Sequence, residues 1–533
     1  MMTLPQHTGV LIVGAGPSGL MMAAQLLRNG VQPIIIDIKQ GPTNQSKALV
    51  VQARSLEIYR QMGIVDQVLT AGAQVAGASF YQDGKRQASL SLTGIGEGQT
   101  LYPYLELFQQ SKNERLLLDY LTKACCPVYW DTSITSLHQH TSHVSVILKN
   151  GENEYALTCD WVIGADGSRS TVRKQSGISF NGDTYQHNFY LADVKLDNKD
   201  LEKTYVQLFF AKDGFAGFFP MPEEGYFRIV GNIQPELEGK EDLLLENVLP
   251  YINKIAARTL QVSNLNWFTT YRLHHRMAGA FREQRCFLIG DAAHIHSPVG
   301  GQGMNTGLQD AYNLAWKLAG VINKQLKPDI LNSYAEERMP VAKDLLKTTD
   351  RAFSIIMSGN WFVNLFKSWL LPKVLNRVWR SERSRAGFFK RISQTGINYR
   401  DSKLNLQLGN TSTHIKAGDR LPYFEIFDEK KKAKTDIHTW CSKPGFTLIT
   451  LGEIPEGFLF TLAKWITQDY QGSINFFHLP PSNTNWHIFD AFEVKTGMRK
   501  ALIIRPDMHI GYLNDIVDIE MMNNYLRNVV GFI

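Results

Sequence analysis

The chain has 533 residues, enough for two to three domains. Hydrophobic residues at 44% and charged residues at 20% are ordinary for a globular protein with a large core. A net charge of +6 is mild for this length and no basic face clusters along the chain, which argues against a nucleic-acid partner.

The cysteines number 5, and their spacing gives no metal-ligand signature, so no metal site is expected. A reduced, cytoplasmic protein fits this usage. The start, MMTLPQHTG, is too short and polar for a signal peptide. No apolar run reaches the length of a membrane helix, so no stable membrane insertion is expected. The apolar and basic stretch Trp361 to Trp379 reads as a helix packed on the main body.

In chain order, Val10 to Val13 is a short apolar strand that runs into G-A-G-P-S-G. Gly14, Gly16 and Gly19 have G-x-G-x-x-G spacing, Pro17 suits a first helical position, and Ser18 lies between. A helix over Leu20 to Leu27 stops at Asn29-Gly30. A second strand, Ile34 to Ile36, ends in Asp37, where a ribose hydroxyl partner belongs. Strand, glycines, helix, strand and acid together predict a dinucleotide site. Arg54 begins a helix in SKALVVQARSLEIYR, and Gln110 lies on another in QQSKNERLL.

Asp83-Gly84 and Asn150-Gly151 mark hairpins. In CDWVIGADGSRSTVR, Trp161 to Ile163 is a strand, Asp166-Gly167 a tight turn, and Ser168 a helix start with Arg169 beside it. From Gln186 to about Tyr271 strand-like runs dominate and predict an antiparallel sheet. Its Phe209, Phe210, Phe218 and Phe219 are divided between core and an aromatic pocket. The segment TTYRLHHR leads out of this sheet and carries Tyr271, His275 and Arg276. Alternation sets Tyr271, Leu273 and His275 on one face. A histidine or tyrosine there can handle a proton, or the strand can simply face water.

The stretch Arg285 to Leu318 has the strongest pattern. Cys286 to Ile289 is a doubly buried strand, ended by Gly290 and Asp291. A loop with Pro298, Gly300, Gly301 and Gly303 follows, and a helix is expected to begin near Asn305, with Thr306 and Gln309 at capping-box spacing. Such a strand–loop–helix unit presents backbone N–H groups and an acid at a strand's end, a site for a polar or anionic ligand. Helices follow over Lys327 to Leu346 and Ala352 to Ile397, then a polar linker from Gly409 to Leu421. The last stretch is a βαβ pattern, Phe446 to Thr450, Phe458 to Ile466 and Ile474 to His478. A hairpin around Arg505-Pro506-Asp507 and a helix from Ile519 to Val529 complete it.

Three motifs in this order resemble those of the class A flavin-dependent aromatic hydroxylases. The C-terminal pattern resembles the thioredoxin-like domain of the phenol-hydroxylase branch, though Trp440-Cys441-Ser442-Lys443 lacks the second cysteine of a C-x-x-C. The resemblance implies an α/β chain, α+β overall. It has a Rossmann-like FAD-binding domain (1–74, 106–180 and 276–405), a substrate-binding sheet domain (75–105 and 181–275) and a thioredoxin-like domain (410–533). It implies non-covalent FAD held by Gly14, Gly16, Pro17, Ser18, Gly19 and Asp37, the last a departure from the usual Glu. Asp291 then meets the ribitol chain, and Gly303, Met304 and Asn305 face the pyrimidine end. Pro298, Arg54 and Gln110 are further cofactor contacts, and Asp166 with Arg169 serves FAD and NADPH. The implied reaction hydroxylates a phenolic or polyketide-like substrate with NADPH (or NADH) and O2, through a flavin hydroperoxide. A homodimer is one option for its assembly. Baeyer–Villiger oxygenation on the same scaffold and a non-catalytic FAD-binding sensor are the alternatives. A halogenase is disfavoured, because no two tryptophans are two apart.

Overall fold

The computed structural model describes residues 5–212, 214–240, 242–297, 300–357, 379–409, 414–429 and 431–533. The expected contact Pro298 and most of the stretch Trp361 to Trp379 lie outside the described residues.

The first sheet is built on apolar runs that have no polar face to turn outward. His7–Val13 lies parallel to Ile34–Ile36 on one side and to Asn153–Gly164 on the other. Cys286–Leu288 adds a further parallel strand beside Asn153–Gly164. Strands buried on both faces need helices over them. The helices Pro17–Arg28 and Gly303–Ile322 pack together to provide this cover.

The second sheet is eight-stranded and mostly antiparallel. Its spine is the 17-residue strand Val262–Ala278, paired along Phe180–Leu196. One face packs on the helix Leu245–Ala256. Phe209 and Phe218 are fully buried in that core, their rings tilted with centroids 5.0 Å apart, in one cluster with Ile229, Val248 and Ile252. They therefore line no pocket. Strand alternation leaves Phe210, Phe215 and Phe219 half-buried on the opposite face. The end of Val262–Ala278 leaves the sheet's main body. Arg276 pairs with Ile295 and Met277 with His294, which joins this sheet to the loop after Asp291.

The C-terminal sheet is five-stranded. Phe446–Gly452 is parallel to Ile474–Leu479, with the helix Glu456–Asp469 between them in sequence. Arg499–Ile504 runs antiparallel to Phe446–Gly452, and Ile510–Asn514 antiparallel to that. Just before the expected linker, Leu406–Leu408 forms one edge strand, paired with Ile510–Asn514. The closing helix Ile519–Asn524 widens into a π-helical turn over Tyr525–Val530.

The turn between Arg499–Ile504 and Ile510–Asn514 plugs this unit into the rest of the chain. Arg505 donates to both carboxylate oxygens of Glu337, at 2.6 and 2.8 Å, and to Asp507 at 2.6 Å. Lys317 Nζ donates to the same Glu337 at 2.7 Å. All four side chains are essentially inaccessible to water. Breaking a buried ion pair by removing one partner leaves an uncompensated charge, at a cost of roughly 3–5 kcal/mol. Glu337→Ala leaves Lys317 without its carboxylate and Arg505 with only Asp507, and is expected to lose about that much, read as a lower midpoint in denaturant unfolding.

Candidate active site

The glycine loop is shaped by contacts that tolerate no side chain. Gly14 has φ +106°, and a Cβ there would lie 2.3 Å from the carbonyl oxygen of Ala165. This brings the loop against the Asp166-Gly167 turn. A Cβ on Gly16, in contrast, would meet nothing within 4 Å, so the loop is open on the side a ligand would approach. Gly16 is the N-cap of Pro17–Arg28 and offers no side-chain cap, leaving the first N–H groups free. Asp37 reaches back from its strand and accepts from Ala15 N at 2.6 Å and Lys39 N at 2.8 Å. A carboxylate has lone pairs beyond these two bonds.

Ser18 joins the first motif to the third. Cβ atoms on Gly290 (φ +57°) and Gly307 would lie 2.3 and 2.2 Å from Ser18 Oγ. Next to this junction stands Asp291. It is solvent-accessible, and among the described residues it has no hydrogen-bond partner. Crowding by the surrounding protein raises its pKa, against the pull of His294 and Lys47. It is a carboxylate open to solvent on one side and crowded by protein on the other, with its lone pairs free for a donor.

The loop behind Asp291 is held by residues the motifs did not point to. Asp310 accepts from Gly290 N at 3.0 Å, His294 Nε2 at 2.8 Å and Arg338 Nε at 2.7 Å. Burial alone would raise its pKa, but Arg338 and His294 hold it at about 2. In sequence, Asp310 is one polar residue on a helix and gives no signal of its own.

The helix Gly303–Ile322 starts two residues earlier than the sequence predicts. No capping box forms: Thr306 Oγ1 donates to Gln302 O, and Gln309 Nε2 to Asn305 O and Gln394. Its N-terminus is uncapped by any side chain. Asn305 is buried with its amide satisfied: it accepts from Gln52 N and Ser55 Oγ and donates to Val50 O and Gly301 O. Only its backbone N–H is left for a ligand. Met304 Sδ accepts from Asn113 at 3.3 Å. Gln52 Oε1, buried beside this helix start, has no partner.

Other expected contacts are placed differently. The guanidinium of Arg54, expected beside the cofactor, donates instead to Glu57 at 3.0 Å and to the carbonyl of Asp507 at 2.7 Å, in the contact with the C-terminal turn. Gln110 accepts from Ala48 N at 3.2 Å and donates to Glu114 at 3.0 Å. Asp166 accepts from Ser170 Oγ and from the N–H groups of Thr171 and Val172, so it caps a short helix. Arg169 is exposed and has no partner among the described residues. The arginine that ties this turn down is Arg173, which donates to Ser168 O and Ala292 O.

On the strand Val262–Ala278, Tyr271 packs with Phe189, Phe215 and Leu273 in a small cluster apart from the main cores. Burial pushes its hydroxyl pKa up, against Arg228 nearby. Its hydroxyl therefore keeps its proton and can donate a hydrogen bond. The His275 ring lies 5.4 Å from that of Tyr185. His275 Nδ1 and Arg276 Nε are buried without partners.

The residues present fit FAD: an open glycine loop and an unpaired carboxylate after parallel strands, with two uncapped helix starts and an orphaned amide oxygen. A family model described as an FAD binding domain matches residues 7–349. The chain belongs to the class A flavin-dependent aromatic hydroxylases. FAD is the cofactor of this family and NAD(P)H its co-substrate. The 6-methylpretetramide 4-monooxygenase of Streptomyces rimosus is 35% identical over 66% of this chain and 62% of its own length. The pentachlorophenol 4-monooxygenase of Sphingobium chlorophenolicum is 32% identical over 78% of this chain and 76% of its own. In fold, the chain matches the flavin-dependent monooxygenase PieE, solved with FAD and substrate, at a TM-score of 0.82 and 20% identity, covering 98% and 99% of the two chains.

Asp291→Ala removes a carboxylate that has no hydrogen-bond partner among the described residues. A hydrogen bond to a charged group contributes about 1.5–3 kcal/mol, so FAD affinity is expected to fall roughly 10- to 100-fold. Equilibrium titration of the apoprotein with FAD measures it.

Proposed function

We propose that this chain hydroxylates a neutral phenolic or polyketide-like aromatic ring with NADPH and O2. The observation that carries this reading is the continuity of the strand Val262–Ala278. It takes part in the aromatic cluster through Tyr271 and Leu273, and its far end pairs with the loop that follows Asp291. Two relatives, named for a chlorophenol and a pretetramide, point to the same substrate class.

Bound FAD supplies the redox chemistry and the activated oxygen. The chain's part is to bind, orient and exclude water. Gly14, Gly16, Pro17, Ser18, Gly19 and Asp37 hold the dinucleotide end. Asp291 takes the ribitol hydroxyls. The backbone N–H groups of Gly303, Met304 and Asn305 stabilise negative charge at the pyrimidine end. Phe189, Phe215 and Leu273 shield the ring of the substrate, and Tyr271 donates a hydrogen bond to it. Arg169, exposed beside the glycine loop's neighbouring turn, contacts the phosphate groups of NADPH.

The domain limits inferred from sequence fit this division of labour, with the edge strand Leu406–Leu408 assigned to the C-terminal unit. The strand order there supports a thioredoxin-like fold. Its single thiol, Cys441, is buried and its pKa is pushed up to about 12 by that burial, so it is inert.

FAD-loaded protein is expected to oxidise NADPH faster when 1-naphthol is added and to yield a product heavier by one oxygen atom. A lactone from a cyclic ketone would instead mark Baeyer–Villiger chemistry. An NADPH rate indifferent to every aromatic compound would leave the sensor reading. Arg169→Ala is expected to raise the KM for NADPH roughly 10-fold or more with FAD content unchanged. Cys441→Ser is expected to leave turnover as it is.

A further inference from the structure

His296 stands where the two halves of the site meet, and nothing above gives it a role. It follows the short strand His294–Ile295. The antiparallel register pairs Met277 with His294 and Arg276 with Ile295, and His296 follows at the end of this pairing, toward the side of His275. On its other side, His296 Nε2 lies 3.3 Å from where a Cβ on Gly303 would be, at the first residue of the uncapped helix.

The ring's protonation follows from its bonds. Nδ1 lies 2.7 Å from the carbonyl oxygen of Ser297, which can only accept. Nδ1 therefore carries the hydrogen of the neutral ring, and Nε2 presents a bare lone pair. That Nε2 is buried and has no partner. Burial lowers the pKa of His296 to about 4, with His294 adding to the effect, so the ring is neutral around pH 7. Two other orphaned atoms, His275 Nδ1 and Arg276 Nε, belong to the strand that carries the aromatic cluster. A buried acceptor left unpaired is costly, and such atoms normally have a partner.

We propose that His296 is the specificity-determining acceptor for a free hydroxyl on the aromatic substrate. The inference rests on the hydroxylase reading and refines its substrate: a neutral phenol, in preference to its ether or its phenolate. An ether has no proton to give. A phenolate or carboxylate would set its own lone pairs against that of Nε2. No proton changes hands. The hydroxyl keeps its hydrogen, and the bond to Nε2 leaves more electron density on oxygen and hence on the ring. His275, on that side, restricts where the hydroxyl can sit.

The test uses the FAD-loaded full chain, titrated with 1-naphthol and with 1-methoxynaphthalene, followed by the change in flavin absorbance. The wild type is expected to prefer the naphthol by roughly 10- to 100-fold. His296→Leu is expected to bring the ratio near one with FAD retained, and His296→Gln, which keeps an acceptor oxygen, to restore part of it. An unchanged ratio in His296→Leu overturns the proposal. So does loss of FAD from both variants, which would assign the lone pair to the cofactor. If the wild type binds both compounds alike while NADPH oxidation still responds to them, the proposal falls and the hydroxylase reading stands. If neither compound perturbs the flavin or NADPH oxidation, the hydroxylase reading falls and takes this inference with it.

Discussion

The carboxylate of Glu337 is the point on which the rest of the structure turns. It is bound by Arg505 through both oxygens and by Lys317 through one. Burial opposes the charge on every member, yet the charges persist because each is paired. Arg505 and Lys317 pull the pKa of Glu337 down against its burial, and Asp507 and Glu337 pull that of Arg505 up against its own. Lys317 shows the opposite balance, since burial outweighs Glu337 and brings it to about 8. Such a network adds little net stability over an apolar contact of the same size. What it does is choose one arrangement. A turn from the last sheet must present Arg505 at one height on the helix Asn332–Met357, or Glu337 loses its bidentate partner.

From Glu337 the constraint passes one residue along the helix to Arg338. Its guanidinium donates to Asp310, to Thr306 O and to Tyr399. Asp310 in turn holds Gly290 N and His294. The backbone on either side of Asp291 is thus anchored through side chains that lead back to the C-terminal turn. Two neighbouring acids have been given opposite environments. Asp310 is saturated and stays ionised down to about pH 2. Asp291 is crowded and unpaired, with its pKa raised. The first spends its charge on structure, and the second keeps it for a ligand.

Much of this frame was legible in the sequence, and the reason is local. A turn that needs φ +106° at Gly14 or +57° at Gly290 selects glycine wherever it occurs. Strands buried on both faces show as unbroken apolar runs. What the sequence hid is long-range. Arg54 sits in a family-like stretch, but its partner Asp507 is more than four hundred positions away. Phe209 and Phe218 look no different from Phe215 until alternation and the helix Leu245–Ala256 decide which face is core. The capping-box spacing of Thr306 and Gln309 was misleading because a hydroxyl inside a helix can donate to the carbonyl four residues back. His296 gave no signal at all, since its significance lies in an atom without a partner.

The same distinction separates proton carriers from packing along Val262–Ala278. Tyr271 and His275 both lie on the face that alternation assigned to them, and both contact the aromatic cluster. A phenol hydroxyl whose pKa is raised by burial keeps its proton, so Tyr271 stays neutral and can donate. The neutral imidazole of His296 offers a lone pair instead, and burial favours that form. In the substrate site proposed above, Tyr271 would supply a hydroxyl that keeps its proton and His296 a lone pair. A ligand with a hydroxyl and a second oxygen satisfies both, while a hydrocarbon of the same shape leaves two buried polar groups unpaired. That asymmetry, more than the apolar contacts, is what lets an aromatic pocket choose among rings of similar size.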